Sequence, residues 1–505
     1  MESANRFNSY ALALLACAAS ALLLYFGNGL SPLWLLMWFA PLPVLIVALR
    51  IPAWQVGLLA PASWLAGYLN LWHYFHVLGA PPIAWFASCG TAALAFGLGV
   101  LLMRALAHRR AMWSAWLSLP ATWTTFEFIR YWIWPHGSAA CIAYSQLNFL
   151  PFLQTASLAG PWGMGFVLLL FPTGLALAVD LWPQKRQQAA RLLGATCSVL
   201  AALLIFGFIR LSTPQGDPVV KVGLIASDAN GGSSINDPGA PTQHLFENYA
   251  THARELIAQG AQVVVMPEDM GVVLDSTVTD VDALFQPIAD QTGSVLIIGM
   301  ARRRSASQHN EARIYGPGVA PRSYAKEHLL PPFETSRFTP GSRRTLFAAP
   351  ANNPGQIWAT AICKDLDFTN PARAYGQAGV GLMLTPAWDF RMDGFWHGHI
   401  AVMRAVEDGF SLVRSARDGL LTVADDRGRI VAEITSNAAP FATLLATVPA
   451  GHSHTVYLLL GDWFGWCAIA LLALVLIQLV RKGRATIASS SEDISIAARA
   501  MRVHR

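Results

Sequence analysis

The chain has 505 residues, of which 54% are hydrophobic and only 13% are charged. Soluble proteins carry about 25% charged residues, so this composition excludes an ordinary soluble protein and places much of the chain in contact with lipid. The formal net charge of +5 reflects basic residues in short loops between apolar segments, so it does not indicate a nucleic-acid partner.

Windows of about 20 apolar residues predict transmembrane helices. We predict about eight, seven before a long polar stretch and one after it. The first lacks a small-residue cleavage site and is followed by another apolar window, so it predicts a retained helix rather than a signal peptide. The windows lie near residues 10–26, 30–49, 53–78, 83–106, 111–129, 162–182, 190–210 and 455–480.

The loops predict the orientation of the chain in the membrane. Basic residues such as Arg50, Arg109 and Arg481 fall at alternate ends of successive spans, whereas the turns at 27–28 and 79–82 carry none. The positive-inside rule then places both termini in the cytoplasm. The polar stretch lies on the opposite side, which is the periplasm if the protein occupies a bacterial inner membrane.

These segments predict four regions. They are a membrane domain of about seven helices over residues 1–211, a periplasmic domain over 218–450, a last transmembrane helix over 455–480 and a cytoplasmic tail over 481–505.

Residues 218–450 have the pattern of a mixed α/β domain. The nearly continuous valine run at 262–266 is typical of a strand covered on both faces. Two long polar loops, 228–240 and 331–344, are candidates for functional lids. Other strands are predicted near 219–227, 294–300, 313–315, 356–362 and 380–385, helices at 243–259 and 397–408, and a hairpin over 420–434.

Reactive side chains stand where three of these strands end. Glu268 follows the valine strand, Lys326 lies in the run Tyr-Ala-Lys-Glu-His, and Cys363 follows strand 356–362. A carboxylate, an ammonium and a thiol delivered by separate strands suit nucleophilic acyl transfer. Cys363 is also the only cysteine outside an apolar segment, and an unpaired thiol in an oxidising compartment indicates a reactive role.

These motifs resemble those of the carbon–nitrogen hydrolases, the nitrilase superfamily. That family has a strand ending in Pro-Glu, a Tyr-x-Lys-x-His-Leu segment and a Cys followed by a short acidic motif. The same motifs stand here in the same order around Glu268, Lys326 and Cys363. The resemblance implies an α/β fold, a nitrilase-like αββα sandwich inserted between the transmembrane helices of an about eight-span helical membrane bundle.

The membrane half is similar to one branch of that superfamily, the apolipoprotein N-acyltransferase family, which has seven spans before the domain and one after it. Trp123, Glu127 and Arg130 match its Trp-x-x-x-Glu-x-x-Arg stretch, and residues 154–163 resemble the start of its sixth span. Ionisable residues at the end of a span are functional candidates, so Glu127 and Arg130 are candidates for shaping a lipid entrance.

The resemblance implies a ping-pong acyl transfer that needs no cofactor. Cys363 attacks an ester carbonyl of a phospholipid and forms a thioester, Glu268 acts as general base, and Lys326 stabilises the thiolate and the oxyanion. The acyl chain then passes to the N-terminal amine of a diacylglyceryl-cysteine lipoprotein. The implied partners are therefore a phospholipid donor and a lipoprotein acceptor.

Three further residues have supporting or substrate-binding roles in this reading. Glu334 matches a second family carboxylate that would hold Lys326 or the incoming amine, and Trp388 lies in an Ala-Trp pair that the family shares. The backbone N–H of Lys364 would complete the oxyanion site. We also expect the Lys364 side chain to lower the pKa of the Cys363 thiol.

The substrate loops depart from the family pattern. An aromatic residue and Glu usually follow the nucleophile, whereas Lys364 and Asp365 stand here. The Ser-Asn-Asp-Ala-Trp-Phe-Gly loop is replaced by residues 384–390, and the membrane-loop Phe-Pro-Trp is absent from the region 134–137. These positions would grip the substrate, so the acyl acceptor is the part that the sequence determines least.

Two rival functions remain open. A membrane-anchored carbon–nitrogen hydrolase, an amidase, would pass the acyl group to water, and a non-catalytic membrane scaffold would have no need of Cys363. His397 and His399 lack a Cys or carboxylate at ligand spacing, so no metal site is predicted. The sequence does not indicate an oligomeric state.

Overall fold

The computed structural model of the protein describes residues 2–214, 218–228, 235–351 and 353–503, with side chains between residues 10 and 483 of these ranges. Residues 229–234 of the predicted loop 228–240 lie outside the described residues. The chain forms two compact units. The first consists of Met1–Ile129, Trp162–Leu203 and Trp463–Arg505, and the second of Arg130–Pro161 and Leu204–Asp462.

The apolar first part of the chain is helical. Its helices are α1 (Glu2–Gly27), α2 (Trp34–Met37), α3 (Leu42–Ala48), α4 (Ala53–Gly67), α5 (Trp72–Val77), α6 (Pro82–Trp85), α7 (Thr91–His108), α8 (Met112–Ile133), α9 (Leu150–Leu153), α10 (Ala156–Leu181) and α11 (Arg186–Ser212).

Within the part of the chain that the structure describes, five helical segments are long and apolar enough to cross a membrane. The predicted windows at 30–49 and 53–78 form shorter helices instead. Prolines 41 and 52 stand directly before α3 and α4, where they disfavour continuation of a preceding helix. The count of eight spans stays a prediction. The five segments are Tyr10–Gly27, Pro82–His108, Ala156–Leu181, Arg186–Ser212 and Trp463–Gly483.

The polar stretch folds into strands β1 (Val219–Ala226), β2 (Val263–Val265), β3 (Val272–Leu274), β4 (Val295–Arg303), β5 (Gln308–Tyr315), β6 (Arg322–Ala325), β7 (Thr345–Ala348), β8 (Ile357–Thr360), β9 (Val380–Trp388), β10 (Ser411–Arg417), β11 (Leu420–Ala424), β12 (Ile430–Thr435) and β13 (Ala442–Pro449). Its helices are α12 (Ala240–Ala258), α13 (Val278–Thr292), α14 (Thr369–Gln377) and α15 (Gly394–Asp408). The chain closes with α16 (Val456–Leu460) and α17 (Trp463–Val503), so helix continues into the predicted tail.

The strands form two sheets. The first has the order β13-β1-β2-β4-β5-β6, with β3 also paired to β4, and the second has the order β12-β11-β10-β9-β8-β7. The inner pairs β1–β2, β2–β4, β8–β9 and β9–β10 are parallel. Parallel strands are usually covered on both faces, which agrees with the valine run of β2.

Three apolar layers show how the sheets are stacked. Val263 and Val265 of β2 lie with Trp358 of β8 in a core between the two sheets. Val264 points the other way, into a core shared with α12 and α13. A third core joins the second sheet to α14 and α15. The predicted αββα sandwich is therefore the fold of this domain.

The backbone after β2 lies very close to β4 in the first sheet. A Cβ at Gly299 of β4 would lie 2.2 Å from the carbonyl oxygen of Pro267 and 2.6 Å from the Cα of Glu268. No side chain fits there, so glycine allows the chain after β2 to pack directly on β4.

We predict that Gly299→Ala lowers the free energy of unfolding by about 1–3 kcal/mol, the usual effect of overpacking a core. Thermal melting of the detergent-solubilised protein measures this. Gly451→Ala is the matched control, since a Cβ there has nothing within 4 Å. Equal melting temperatures for the two variants would contradict the close approach.

Candidate active site

The ends of three strands bring Glu268, Lys326 and Cys363 to one site. Glu268 follows β2 and Lys326 follows β6, both in the first sheet, whereas Cys363 follows β8 in the second. The backbone N–H of Glu268 donates to the carbonyl oxygen of Ala387 on β9 (3.2 Å), which joins the two sheets at this edge. The charges of Glu268 and Lys326 both act on the Cys363 thiol.

Lys326 is buried between two carboxylates. Its Nζ donates to Glu268 Oε1 at 2.7 Å and to both Glu334 oxygens at 2.9 and 2.8 Å. Only 3% of the Lys326 surface and 2% of the Glu268 surface is exposed. A buried ion pair needs such near-complete pairing, because desolvation of each charge costs several kcal/mol. Glu334 therefore holds the Lys326 ammonium in place.

Asn310 of β5 completes this cluster, and no sequence motif indicated it. Its Nδ2 donates to Glu268 Oε1 at 2.5 Å and to Glu334 Oε1 at 2.7 Å. Among the described residues, Glu268 Oε2 has no hydrogen-bond partner. One oxygen of Glu268 is thus fixed by Lys326 and Asn310, and the other is available to accept a proton.

The two carboxylates titrate differently. Burial raises the pKa of Glu268 to about 7; the Lys326 charge opposes this and the Glu334 charge adds to it. Burial would also raise the pKa of Glu334, but the charge and hydrogen bonds of Lys326 hold it below its usual value. Burial lowers the pKa of Lys326, yet the two carboxylates raise it well above its usual value. Of the two carboxylates, Glu268 is therefore the one whose pKa lies near neutral pH.

Cys363 sits in a strained turn. Its φ of +41° is unusual for a residue with a side chain and costs on the order of 1–3 kcal/mol. The turn is fixed by Asp365, whose carboxylate accepts the backbone N–H of Ile362 at 3.0 Å. Strain of this kind persists where the surroundings over-determine the backbone, as at many active sites.

Asp365 also ties this turn to the Lys326 segment. Its Oδ2 accepts the Tyr324 hydroxyl at 2.7 Å, and its Oδ1 accepts the backbone N–H groups of Glu327 (3.1 Å) and His328 (2.8 Å). The side chain is fully buried. Asp365 thus links the turn that carries Cys363 in one sheet to the segment that carries Lys326 in the other.

The sulfur of Cys363 has two further neighbours. Its Sγ donates to the carbonyl oxygen of Trp388 at 3.5 Å, and Arg414 Nη2 lies 3.9 Å away as a donor. Burial raises the pKa of the Cys363 thiol well above its ordinary value, and the Glu268 charge adds to this, whereas Lys326 and Arg414 oppose it. The neutral thiol is therefore favoured over the thiolate.

Lys364 is turned toward a different set of groups. Its Nζ lies 3.5 Å from Asp367 Oδ2 and 3.3 Å from His136 Nδ1. Burial lowers the pKa of Lys364, an effect that Asp367 offsets. Lys326 and Arg414 are the cations that act most on the thiol, and Lys364 also interacts with Cys363 through its charge. The expectation that Lys364 lowers the pKa of the thiol stays a prediction.

Trp388 contacts the sulfur through its carbonyl oxygen, whereas its ring packs against Arg417. The Arg417 guanidinium lies 3.7 Å from the ring centroid, and the indole N–H donates to Asp418 Oδ2 at 3.2 Å. This stacking fixes the ring. A substrate-binding role for Trp388 stays a prediction.

The remaining predicted residues lie elsewhere. His397 lies 3.5 Å from Asp367 and 3.3 Å from Asp393, and these carboxylates raise its pKa to about 10 against the effect of burial. Within the described ranges no group of three His, Cys, Asp or Glu side chains is arranged to hold a metal ion. Arg130 donates to the carbonyl oxygen of Ala140, and a role for Glu127 and Arg130 at a lipid entrance stays a prediction.

An αββα sandwich with a thiol, an ammonium and two carboxylates at its strand ends defines a carbon–nitrogen hydrolase domain. In agreement, residues 238–456 match the family model described as carbon-nitrogen hydrolase. Residues 20–174 match a second model, described as the apolipoprotein N-acyltransferase N-terminal domain.

Curated relatives match most of the chain. An apolipoprotein N-acyltransferase of Geobacter metallireducens is 25% identical, over 88% of this chain and 91% of the relative. That of Nitrosomonas europaea is 27% identical, over 90% and 96%. Among solved structures, an amidase from Nesterenkonia sp. is 20% identical with a TM-score of 0.37, covering 48% of this chain and 94% of the amidase.

The chain belongs to the apolipoprotein N-acyltransferase family, of which it is a divergent member.

We predict that Glu268→Gln lowers the pKa of the Cys363 thiol, because the Glu268 charge raises it. A shift of about one pKa unit would make alkylation by iodoacetamide roughly tenfold faster at a fixed pH below the thiol pKa. Mass spectrometry of the Cys363 peptide over a pH series measures the rate. An unchanged or slower reaction in the variant would show that the carboxylate does not act on this sulfur.

Proposed function

We propose that the protein is a phospholipid-dependent N-acyltransferase that passes a fatty acyl chain through a Cys363 thioester to the N-terminal amine of a diacylglyceryl-cysteine lipoprotein. The observation that carries the proposal is the paired placement of Glu268 and Lys326 around the thiol. The chain's membership in the acyltransferase family supports the choice of substrates.

In the first half-reaction Glu268 Oε2 accepts the thiol proton as Sγ attacks an ester carbonyl of the phospholipid. The oxygen of the tetrahedral intermediate becomes negative next to the Lys326 ammonium. Preorganised charge of this kind is worth about 10²–10³ in rate for a single donor. The lysophospholipid alkoxide leaves with the proton that Glu268 returns, and the acyl group remains on sulfur.

In the second half-reaction the amine of the acceptor attacks the thioester carbonyl. Glu268 takes a proton from the attacking nitrogen, the C–S bond breaks, and the proton passes to the sulfur. The products are an amide and the free thiol, so the enzyme returns to its starting state. One base serves both steps because its pKa of about 7 lets it accept and release a proton near neutral pH.

The proposed setting is a bacterial inner membrane. Five apolar helices in the described residues support a membrane protein. We propose that eight spans form in the bilayer and that residues 218–450 lie in the periplasm, where the alternation of basic loops places them. Residues 1–211 and 455–480 would then form the membrane part, and residues 481–505 the cytoplasmic tail.

The rival functions differ in what the site must do. A scaffold would gain nothing from burying Lys326 between two carboxylates, since such pairs cost more in desolvation than apolar packing of the same volume. An amidase would use the same nucleophile, base and ammonium. It would release the acyl group to water, so the fate of the thioester separates it from a transferase.

We predict a hydroxylamine-labile acyl adduct on the protein after incubation with phosphatidylethanolamine. Intact-mass spectrometry detects it, and Cys363→Ala removes it. Cys197→Ala is the matched control and keeps the adduct, because Cys197 lies in helix α11 and is not part of the sandwich. If the wild-type protein forms no acyl adduct, the phospholipid-derived thioester is excluded.

We predict that kcat/KM for acylation rises with pH through about 7, because Glu268 must be ionised to accept the thiol proton and burial raises its pKa to about 7. Glu334→Gln moves this acid limb to lower pH, since the Glu334 charge raises the pKa of Glu268. Asp275→Asn, a half-exposed carboxylate on the same domain, serves as control. A limb that stays in place in Glu334→Gln would contradict the coupling.

A further inference from the structure

A buried arginine adjoins the sulfur of Cys363. Arg414 lies in the middle of β10 and is 1% exposed. Its Nη2 lies 3.9 Å from Cys363 Sγ. The same guanidinium donates to both oxygens of Asp389, from Nη1 at 2.9 Å and from Nη2 at 2.5 Å. Its contact with the reacting sulfur is direct.

The Arg414–Asp389 pair is held in a built site. Asp389 is also 1% exposed, and its backbone N–H donates to the carbonyl oxygen of Arg417 at 3.1 Å. A Cβ at Gly419 would lie 2.1 Å from Asp389 Oδ2, so glycine is needed there to make room for the carboxylate. Both charges are fixed in position before any substrate binds.

Charge balance around the sulfur explains why a second cation is useful. Lys326 is paired with Glu268 and Glu334, so that cluster is negative overall whenever Glu268 is ionised. The groups whose charges act most on the thiol are Glu268, Lys326, Arg414 and Asp389. Lys326 faces two carboxylates, whereas Arg414 faces one, Asp389. Arg414 therefore adds a second cation that favours the charged form of the sulfur.

We propose that Arg414 is a second catalytic cation of this site, which stabilises the Cys363 thiolate as it forms and again as it leaves, with Asp389 fixing the guanidinium and moderating its charge. The sulfur's proton goes to Glu268 Oε2, and Arg414 stays protonated throughout. The inference rests on the proposed function only in taking Cys363 as the nucleophile.

If both charges act on the sulfur, removing one or the other should shift the pKa of the Cys363 thiol in opposite directions. Arg414→Met removes the cation and should raise the pKa of the thiol, which slows alkylation by about tenfold at a fixed pH below that pKa. Asp389→Asn keeps the shape, leaves Arg414 uncompensated and should lower the thiol pKa, which speeds alkylation by a similar factor. Both variants lose the same buried salt bridge.

The experiment is the pH dependence of Cys363 alkylation by iodoacetamide in the full-length, detergent-solubilised protein, read by peptide mass spectrometry. Lys364→Tyr is the comparison, and its shift should be smaller than that of Arg414→Met, because Lys364 is paired with Asp367. Arg414→Lys, which keeps a cation, should fall between Arg414→Met and the wild type.

Opposite shifts in Arg414→Met and Asp389→Asn support the proposal. Profiles that stay unchanged, or that move in the same direction, overturn it and leave the pair a structural link between β10 and the loop after β9. If Arg414→Met does not fold, Arg414→Gln takes its place, because Asp389 also acts on the thiol directly and Asp389→Asn alone would not isolate the guanidinium. Alkylation needs no lipid, so this result stands apart from the test for a phospholipid-derived thioester.

Discussion

The buried position of Lys326 between Glu268 and Glu334 is the constraint on which the rest of the site depends. An ammonium that is 3% exposed is tolerated only if its charge is matched and its donors are used. Asn310 donates to both carboxylates and keeps them from moving apart. Burial in this arrangement raises the pKa of Glu268, and within the described residues its Oε2 has no hydrogen-bond partner. A general base near neutral pH requires both properties.

The site is assembled from both sheets of the sandwich. Glu268, Lys326 and Asn310 belong to the first sheet, whereas Cys363, Trp388 and Arg414 belong to the second. Asp365 and the bond from Glu268 to Ala387 hold the two sets together. The geometry of the candidate site therefore depends on how the sheets are packed, because a small shift between them would separate Glu268 from the Cys363 thiol.

The sequence was sufficient to predict the αββα sandwich and to single out Glu268, Lys326 and Cys363, because each stands where an apolar run gives way to a polar turn. It did not reveal Asn310 or Arg414. Both lie inside strands, β5 and β10, where a polar residue has no local pattern and gains meaning only from residues distant in the chain. A charged residue within a buried strand was the one available signal for Arg414, but β10 itself was not predicted.

The number of transmembrane spans is a second feature that the sequence alone does not determine. The second and third apolar windows contain only short helices, α2 to α5, so length and hydropathy alone do not determine how many segments cross the bilayer. The positive-inside pattern remains the argument for the orientation.

The most direct test of this account follows the acyl group from the isolated acyl-enzyme. The protein carrying a labelled acyl chain on Cys363 is freed of phospholipid and mixed with a peptide whose N-terminal cysteine bears a diacylglyceryl group. The account predicts that the label leaves Cys363 faster in the presence of the peptide and is recovered as an amide on its N-terminus. Recovery as free fatty acid, at a rate independent of the peptide, would contradict it.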